Sequence, residues 1–226
     1  SKEFVFLGTE WVGPGRLDLR YQLDGIDLCE RFVFPVPGPV SDTVKPALVA
    51  AVQLLHWVAG ISYWKAGCPQ QLGFQGAGPD CWQAAWLNQL FREGLAEFAF
   101  RQRLDLALFE PFASDRKQPQ RAPVLNLDEQ LLVPMGGGKD SLVAWDRLDR
   151  LGRVAGTVQV GQSDLIGQVA GRTGAEHWQI HRQMDPKLAV LNELDALNGH
   201  VPITAINAAA IIILALDRSR IDHYSL

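Results

Sequence analysis

Short hydrophobic runs broken by turn residues fill the first part of the chain. The runs cover residues 4–7, 17–21 and 31–34, and Gly-Pro and Asp-Gly pairs separate them. Runs of this length, bounded by glycine, proline and aspartate, are typical of β-strands joined by tight turns. The pattern predicts an antiparallel β-meander in this part of the chain.

Two longer hydrophobic segments with helical spacing come next. A proline-rich stretch at 35–39 ends the meander, and Ser41 and Asp42 are candidate caps of a long apolar helix. After a predicted loop, Asp80 is a candidate cap of a second helix over about 81–103. Hydrophobic residues recur near the helical period in this second helix, and we expect them to lie in the core. They are Trp82, Ala85, Trp86, Leu90, Phe91 and Phe98.

Strand and helix signals alternate beyond a polar, proline-containing stretch at 114–123. The predicted order is strand, helix, strand, helix, strand, helix and strand, over 130–134, 141–151, 153–160, 164–171, 177–180, 202–216 and 221–226. Such alternation builds a parallel sheet with right-handed crossovers and helices on its faces. We therefore expect an α/β protein with two domains, a β-meander with helices over 1–118 and a parallel sheet with flanking helices over 119–226.

The composition places the chain among ordinary globular proteins. Of its 226 residues, 47% are hydrophobic and 20% are charged, which is enough for a core and excludes a disordered or collagen-like chain. The net charge of −4 and the pI near 5.7 argue against a nucleic-acid partner, because phosphate binding needs an excess of Lys and Arg on one face.

Cysteine content and the lengths of the hydrophobic segments predict a cytoplasmic protein without a membrane partner. The three cysteines form no CxxC pair, and an odd number does not indicate a disulfide framework. Residues 1–10 lack the basic and then apolar order of a signal peptide. The apolar stretches at 47–64 and 203–216 are interrupted by polar residues or too short for a membrane span, so we expect buried helices.

The most informative segment is a run of three glycines between a predicted strand and a predicted helix. It consists of Gly136, Gly137, Gly138, Lys139, Asp140 and Ser141. Glycines let the backbone approach an anion closely, so that consecutive N–H groups and the positive end of the helix point at one cluster of oxygens. Lys139 adds a mobile positive charge. The segment predicts a phosphate-binding loop.

Two common nucleotide motifs do not fit this loop. The pattern GxxxxGK[ST] requires glycine and Ser or Thr where this chain has Val133 and Asp140. The dinucleotide pattern GxGxxG lacks its third glycine, and no acidic ribose ligand follows about 20 residues later. The alternative without a ligand is a plain glycine-rich turn between strand and helix.

Gly-Gly-Gly-Lys-Asp-Ser resembles instead the PP-loop of the ATP pyrophosphatase superfamily, which usually reads Ser-Gly-Gly-x-Asp-Ser. Gly136 stands where that pattern has serine. The resemblance implies that residues 136–141 bind the pyrophosphate part of ATP and that the surrounding sheet is Rossmann-like, of the HUP type. It also implies chemistry in which a carboxylate, amide or carbonyl oxygen is adenylated and pyrophosphate is released.

A second motif narrows the resemblance. Residues 198–206 read Asn-Gly-His-Val-Pro-Ile-Thr-Ala-Ile, and together with the glycine loop they resemble the bacterial UDP-N-acetylmuramoyl-L-alanyl-L-glutamate epimerases. The resemblance implies ATP- and Mg²⁺-dependent inversion of the terminal glutamate of a UDP-linked muramoyl dipeptide, an isomerase reaction in peptidoglycan precursor synthesis. Chains of that family continue well beyond the segment that matches 221–226, so we expect the second domain to be incomplete at its carboxyl-terminal end.

The chemistry assigns roles to individual residues in both motifs. Lys139 is expected to stabilise charge that develops on the phosphates, and Asp140 to be a Mg²⁺ ligand. An imidazole titrates near neutral pH, so His200 is the candidate proton-transfer group, with helix capping as the alternative. Predicted substrate contacts are Thr204, Asn207 and Asp164, of which Asp164 could instead cap a helix.

Other functions stay open from the sequence. One alternative is another PP-loop enzyme, either an amide ligase or an RNA-modifying thiolase, and another is a non-catalytic nucleotide-binding module. His177 and His181 lack a third ligand at metal-binding spacing and are expected to be structural. The sequence makes no prediction of the oligomeric state.

Overall fold

A computed structural model describes residues 1–35, 42–114, 116, 125, 127, 130–194 and 196–218. In this part of the chain seven strands form one mixed sheet in the order β4-β1-β2-β3-β7-β6-β5. The strands are β1 (Glu3–Gly13), β2 (Arg16–Leu23), β3 (Ile26–Val33), β4 (Gln71–Phe74), β5 (Leu131–Pro134), β6 (Val154–Val160) and β7 (His177–Gln183).

Eight helices belong to the described part of the chain. They are α1 (Lys45–Ala59), α2 (Ile61–Trp64), α3 (Cys81–Gly94), α4 (Ala96–Gln102), α5 (Lys139–Asp149), α6 (Asp164–Gly171), α7 (Lys187–Glu193) and α8 (Ile203–Arg218), with a 3₁₀ turn at Leu106–Phe109. A mixed α/β fold with an amino-terminal meander is therefore confirmed. The Rossmann-like, PP-loop assignment stays a prediction.

The meander consists of β1, β2 and β3, which pair antiparallel in sequence order. The other half of the sheet consists of β5, β6 and β7, which pair parallel, with α5 and α6 as the connections. The two halves join where β3 pairs antiparallel with β7, so that Arg31 faces Gln183 and Val33 faces His181. The predicted division at residue 118 stays a prediction, and the strands on its two sides share a sheet.

Several predicted elements differ in detail from the structure. The segment expected to be a loop contains β4, which pairs with the edge of β1, and the loop before residue 202 contains α7. Helix α1 begins after Val44 without a side-chain cap, and Asp42 instead forms an ion pair with Lys45. Asp80 caps α3 as predicted, accepting hydrogen bonds from two backbone N–H groups. The predicted strand at 221–226 lies outside the described residues.

Two hydrophobic clusters lie on opposite faces of the parallel strands. The larger one packs the meander against α1 and α8, and Trp178 and Ile180 of β7 belong to it. The smaller one lies between β5 and the helices α5 and α6 and includes Val133 and Met135. Because side chains alternate along a strand, the residues next to Trp178 and Ile180 in β7 point to the opposite face, on which α6 packs. We call the face with the larger cluster the α8 face and the face with the smaller cluster the α6 face.

The aromatic stripe of α3 does not behave as predicted. Phe91 and Phe98 are buried, as expected, but Trp82 is 69% exposed and Trp86 is 46% exposed. The reason is that α3 buries the face that carries Leu87 and Phe91, whereas the two tryptophans lie on another face of the same helix.

One helical stretch, Lys45–Trp64, is long and apolar enough to cross a membrane by length and composition alone. In the fold, 67% of it is buried, which agrees with the prediction of a buried helix. Its partner in packing is α8, which is also apolar.

Candidate functional site

The glycine loop connects the end of β5 to the start of α5. The Met135 N–H donates to the Val158 carbonyl at 2.7 Å, which ties the beginning of the loop to β6. Gly137 has a φ of +76°, a left-handed conformation that an L residue rarely adopts. Gly138 is the N-cap of α5, and no side chain caps this helix. The local sequence therefore produces an uncapped helix start directly after a parallel strand.

The outer side of this loop is open, and its inner side is packed. A Cβ atom on Gly136 or Gly138 would meet nothing within 4 Å, whereas one on Gly137 would lie 3.2 Å from Ile166 Cγ1 of α6. The N–H groups in the first turn of an uncapped helix are free to bind an anion, and the helix dipole favours negative charge there. This arrangement has the shape and the donors of a phosphate cradle.

Three polar side chains follow the glycines in the first turn of α5. The Ser141 hydroxyl donates to the Gly138 carbonyl at 2.8 Å and so stabilises the turn. Lys139 and Asp140 are exposed, and neither forms an ion pair with any residue that the structure describes. Both are available to a ligand bound at the loop.

Asp164 lies beside the loop on the neighbouring helix. It is the first residue of α6, at the carboxyl end of β6, and it is exposed. The cap of α6 is Ser163, whose hydroxyl accepts a hydrogen bond from the Ile166 N–H at 3.4 Å. Asp164 is therefore free of the capping role that the sequence left open. The contact between Gly137 and Ile166 brings this turn and the glycine loop together.

The second motif lies around the start of α8. Asn198 accepts a hydrogen bond from the buried Lys65 ammonium at 2.9 Å, and burial lowers the pKa of Lys65. A Cβ on Gly199 would lie 2.7 Å from Phe98, so the chain turns tightly against α4 here. Pro202 packs against Gly94 of α3. The motif is thus held by a hydrogen bond to the end of α2 and by packing against α3 and α4.

The other predicted residues of this motif differ in exposure. His200 and Thr204 are exposed, and Asn207 is partly buried one turn further along α8. No described hydrogen bond or ion pair joins them to the glycine loop, which packs on the other face of the sheet. The structure therefore places the first turn of α6, which contains Asp164, next to the glycine loop and keeps the α8 residues as a separate group.

A row of polar side chains on the α6 face was not predicted from the sequence. His177 Nδ1 lies 2.9 Å from the Thr157 hydroxyl, and Gln179 donates to the Gly161 carbonyl at 2.9 Å. The row continues to His181, whose Nδ1 lies 3.1 Å from Gln162 Nε2. The signal in the sequence is the alternation of His and Gln along β7, which predicts a polar face on an otherwise apolar strand.

The structure also contains a cavity of about 520 Å³ between β1 and α1, on the α8 face. Phe6, Trp11 and Trp57 are among its lining residues, and His56 lies at its wall. His56 Nε2 lies 3.0 Å from the Arg20 carbonyl oxygen, to which it donates. Burial lowers the pKa of His56 to about 4, so this imidazole is neutral near pH 7. A neutral, hydrogen-bonded histidine is typical of a structural role.

The described residues contain no group of three or more His, Cys, Asp or Glu side chains arranged to hold a metal ion. Mg²⁺ is commonly held by one or two carboxylates together with substrate phosphates, so a site with a single protein ligand needs no such group. Asp140, beside the glycine loop, has the position and the charge for this role.

Comparison with known proteins identifies the family. Residues 2–220 match the family model described as MurL N-terminal domain. A protein of Xanthomonas oryzae pv. oryzae is 37% identical over 204 residues, which cover 89% of this chain and 45% of that protein. Relatives from a Micromonospora species and from Salinispora tropica are each 34% identical and cover 91% and 87% of this chain, but only 47% and 44% of their own lengths.

All three relatives are named UDP-N-acetyl-alpha-D-muramoyl-L-alanyl-L-glutamate epimerase. The chain spans about half the length of the curated relatives that it matches. No solved structure matches it. Because the matched range contains the meander, the glycine loop and the start of α8 alike, the chain belongs to the MurL N-terminal domain family.

Proposed function

We propose that this chain is the ATP-binding part of an epimerase that inverts the terminal L-glutamate of UDP-MurNAc-L-Ala-L-Glu in peptidoglycan precursor synthesis. The observation that carries the proposal is the open glycine loop at the end of a parallel strand, in a chain whose relatives are named as such epimerases. The order β7-β6-β5, with α5 and α6 as connections, supports a Rossmann-like sheet of the PP-loop type.

The residues of the glycine loop fit an ATP pyrophosphate group. Open space at Gly136 and Gly138 leaves room for phosphate oxygens, and the uncapped start of α5 supplies N–H donors. Lys139 would add a positive charge within reach of these oxygens, and preorganised charge of this kind usually contributes most to catalysis. Asp140 would hold Mg²⁺ together with the phosphates.

The need for ATP follows from the acidity of the α-proton. A proton on the carbon next to a carboxylate is hard to remove, because the product would carry the negative charge of the carbanion close to that of the carboxylate. ATP would supply the activation by adenylating this carboxylate with release of pyrophosphate. After inversion, water would cleave the adenylate, which restores the carboxylate and releases AMP. The loop residues would bind and orient the two substrates for the adenylation, which converts a bimolecular encounter into a positioned one.

Proton transfer to and from the α-carbon needs a group that can both accept and donate a proton. His200 is exposed at the start of α8, and no described residue forms a hydrogen bond with its ring nitrogens. For an imidazole in this position to accept a proton from the substrate or return it, the terminal glutamate must lie between the glycine loop and the start of α8, which the structure keeps as separate groups. Thr204 and Asn207, on the same helix, would bind substrate polar groups, as would Asp164 beside the loop.

The test uses the full-length protein with UDP-MurNAc-L-Ala-L-Glu, ATP and Mg²⁺. We expect AMP and the D-glutamyl product, detected by nucleotide chromatography and chiral analysis of the released glutamate. Lys139→Ala should lower the rate of AMP formation by about 10²- to 10³-fold. Arg147→Ala removes an exposed cation from the same helix and should leave this rate unchanged.

Four results would overturn parts of the proposal. Absence of AMP would exclude the adenylating reaction, and binding of ATP without pyrophosphate release would indicate a non-catalytic module. AMP formation with an amine or a sulfur donor in place of epimerisation would indicate another enzyme of the PP-loop type. An unchanged rate for Lys139→Ala would show that the loop does not bind the phosphates.

A further inference from the structure

A polar groove of about 410 Å³ lies at the point where the meander joins the parallel strands. Its lining residues come from β2, β3, β7 and the loop before α6, and they are Arg16, Arg31, Val33, Gln162, His181 and Gln183. The lining contains two guanidinium groups and an imidazole and no carboxylate. Such a donor set is suited to an anion with several oxygens.

One of the two arginines is held rigidly. Arg31 donates two hydrogen bonds to Asp18, at 2.6 and 2.8 Å, and the Asp18 side chain is only 6% exposed. Arg31 itself keeps 40% of its side chain exposed at the groove. The bidentate pair therefore anchors the guanidinium from behind and leaves its other N–H groups free for a ligand.

Arg16 and His181 also have N–H groups that are free for a ligand. Arg16 is exposed and forms no ion pair with a residue that the structure describes. His181 uses Nδ1 toward Gln162, which leaves Nε2 free. An unpaired guanidinium next to a fixed one can close on a diphosphate from two sides, which is a common way in which arginine recognises phosphate.

The groove and the glycine loop lie at the same edge of the sheet. Pro134, just before the loop, pairs with Val158, and Val158 pairs with Trp178. His181 comes three residues after Trp178, so it lies beyond the carboxyl end of β5, where the loop begins. In the sheet, β3 and β2 are three and four strand positions from β5. Because neighbouring strands are about 4.8 Å apart, these distances are about 14 and about 19 Å. Helix α6 packs on β6 and β7, the two strands that separate the glycine loop from the groove.

This separation identifies which part of the substrate the groove would bind. The two carboxylates of the terminal glutamate are only a few bonds apart. If one of them is activated at the glycine loop, the other also lies near that loop and cannot reach the groove. The next anionic group of a UDP-linked muramoyl dipeptide is its diphosphate, which an alanyl unit, a lactyl unit and a sugar ring separate from the glutamate. That spacer spans a distance on the order of 15 Å, since each extended residue adds about 3.5 Å.

We propose that the groove formed by Arg16, Arg31 and His181 binds the diphosphate of the UDP-linked substrate and so sets the distance between the sugar nucleotide and the glycine loop. This inference rests on the proposed function for the identity of the ligand. The groove itself is defined by the described residues alone.

The test is calorimetric titration of the full-length protein with UDP, with L-alanyl-L-glutamate and with a non-hydrolysable ATP analogue. Arg16→Ala should weaken UDP binding by about 10- to 100-fold, as expected for the loss of charge-assisted hydrogen bonds, and leave the affinity for the ATP analogue unchanged. His181→Gln should weaken UDP binding to a smaller extent. Arg172→Ala removes an exposed arginine at the other end of α6 and should change neither affinity.

The outcomes separate this site from the epimerase function. Failure of the wild-type protein to bind UDP, or equal UDP affinity of wild type and Arg16→Ala, would overturn the groove assignment. Loss of dipeptide affinity with unchanged UDP affinity in Arg16→Ala would overturn it as well, because the groove would then hold carboxylates. If UDP binding depends on Arg16 and no AMP is formed with the complete substrate, the groove stands and the epimerase proposal fails.

Discussion

Arg182 on β7 donates to Glu30 on β3 across the junction of the two halves of the sheet. Glu30 is fully buried, and the Arg182 side chain is 10% exposed. Arg182 also donates to the Ser62 hydroxyl at 2.8 Å, so a single guanidinium joins β3, β7 and α2. Burial raises the pKa of Glu30, and the neighbouring Arg182 opposes this shift. The pair is a buried connection between the meander and the parallel strands.

Arg182→Leu should lower the free energy of unfolding by about 3 to 5 kcal/mol, because the Glu30 carboxylate would stay buried without a partner. Urea denaturation of the variant measures this loss. Adding Glu30→Gln should recover part of it, since the unpaired charge is then removed. Arg20→Ala breaks the exposed pair with Glu10 and should cost less than about 1 kcal/mol. Equal losses for the buried and the exposed pair would contradict the interpretation.

Gly137→Ala should lower the free energy of unfolding by about 1 to 2 kcal/mol, because φ at this position is +76° and the new methyl group would crowd Ile166. Gly136→Ala, on the same loop, places its methyl group in open space and serves as the control for stability. Thermal unfolding of both variants makes the comparison. Equal stability would show that the loop does not need a left-handed residue.

The stability of the protein should fall in weak acid because of His56. The pKa of His56 in the folded protein is about 4, below the ordinary value near 6.5, so this contribution to stability is complete above pH 6.5 and is lost as the pH falls toward 4. Between about pH 7.5 and about pH 5 the loss amounts to about 2 kcal/mol. His56→Gln should show a smaller loss over the same range in urea denaturation. An identical pH dependence in the two proteins would argue against a buried neutral imidazole.

His200→Gln should separate the two halves of the proposed reaction. If His200 transfers the α-proton, the variant should lose about 100-fold or more in epimerisation. AMP formation should persist, because the residues of the glycine loop are unchanged. Incorporation of deuterium from solvent at the α-carbon, measured by mass spectrometry, follows the proton directly. A parallel loss of AMP formation and deuterium incorporation would assign His200 to binding instead.

The local features of this chain could be predicted from the sequence. The predicted bounds of α6 agree with the structure, and the glycine loop lies between a strand and a helix as expected. Asp80 caps α3 because a side-chain oxygen and the N–H groups two and three residues later are neighbours in the chain. The exposure of Trp82 and Trp86 could not be predicted, because only tertiary packing decides that α3 buries the face with Leu87 and Phe91.

The sequence determined the glycine loop, the meander and the alternation of strands and helices from β5 to β7, since each depends on residues close together in the chain. Only the tertiary structure decided which residues of the meander meet the parallel strands. Arg31 and Gln183 are 152 positions apart in the sequence and pair in the fold, as do Glu30 and Arg182. Such pairings depend on strand register and on the burial of both partners, which no local pattern encodes. The polar groove exists because that register places Arg16, Arg31 and His181 on one face of the sheet.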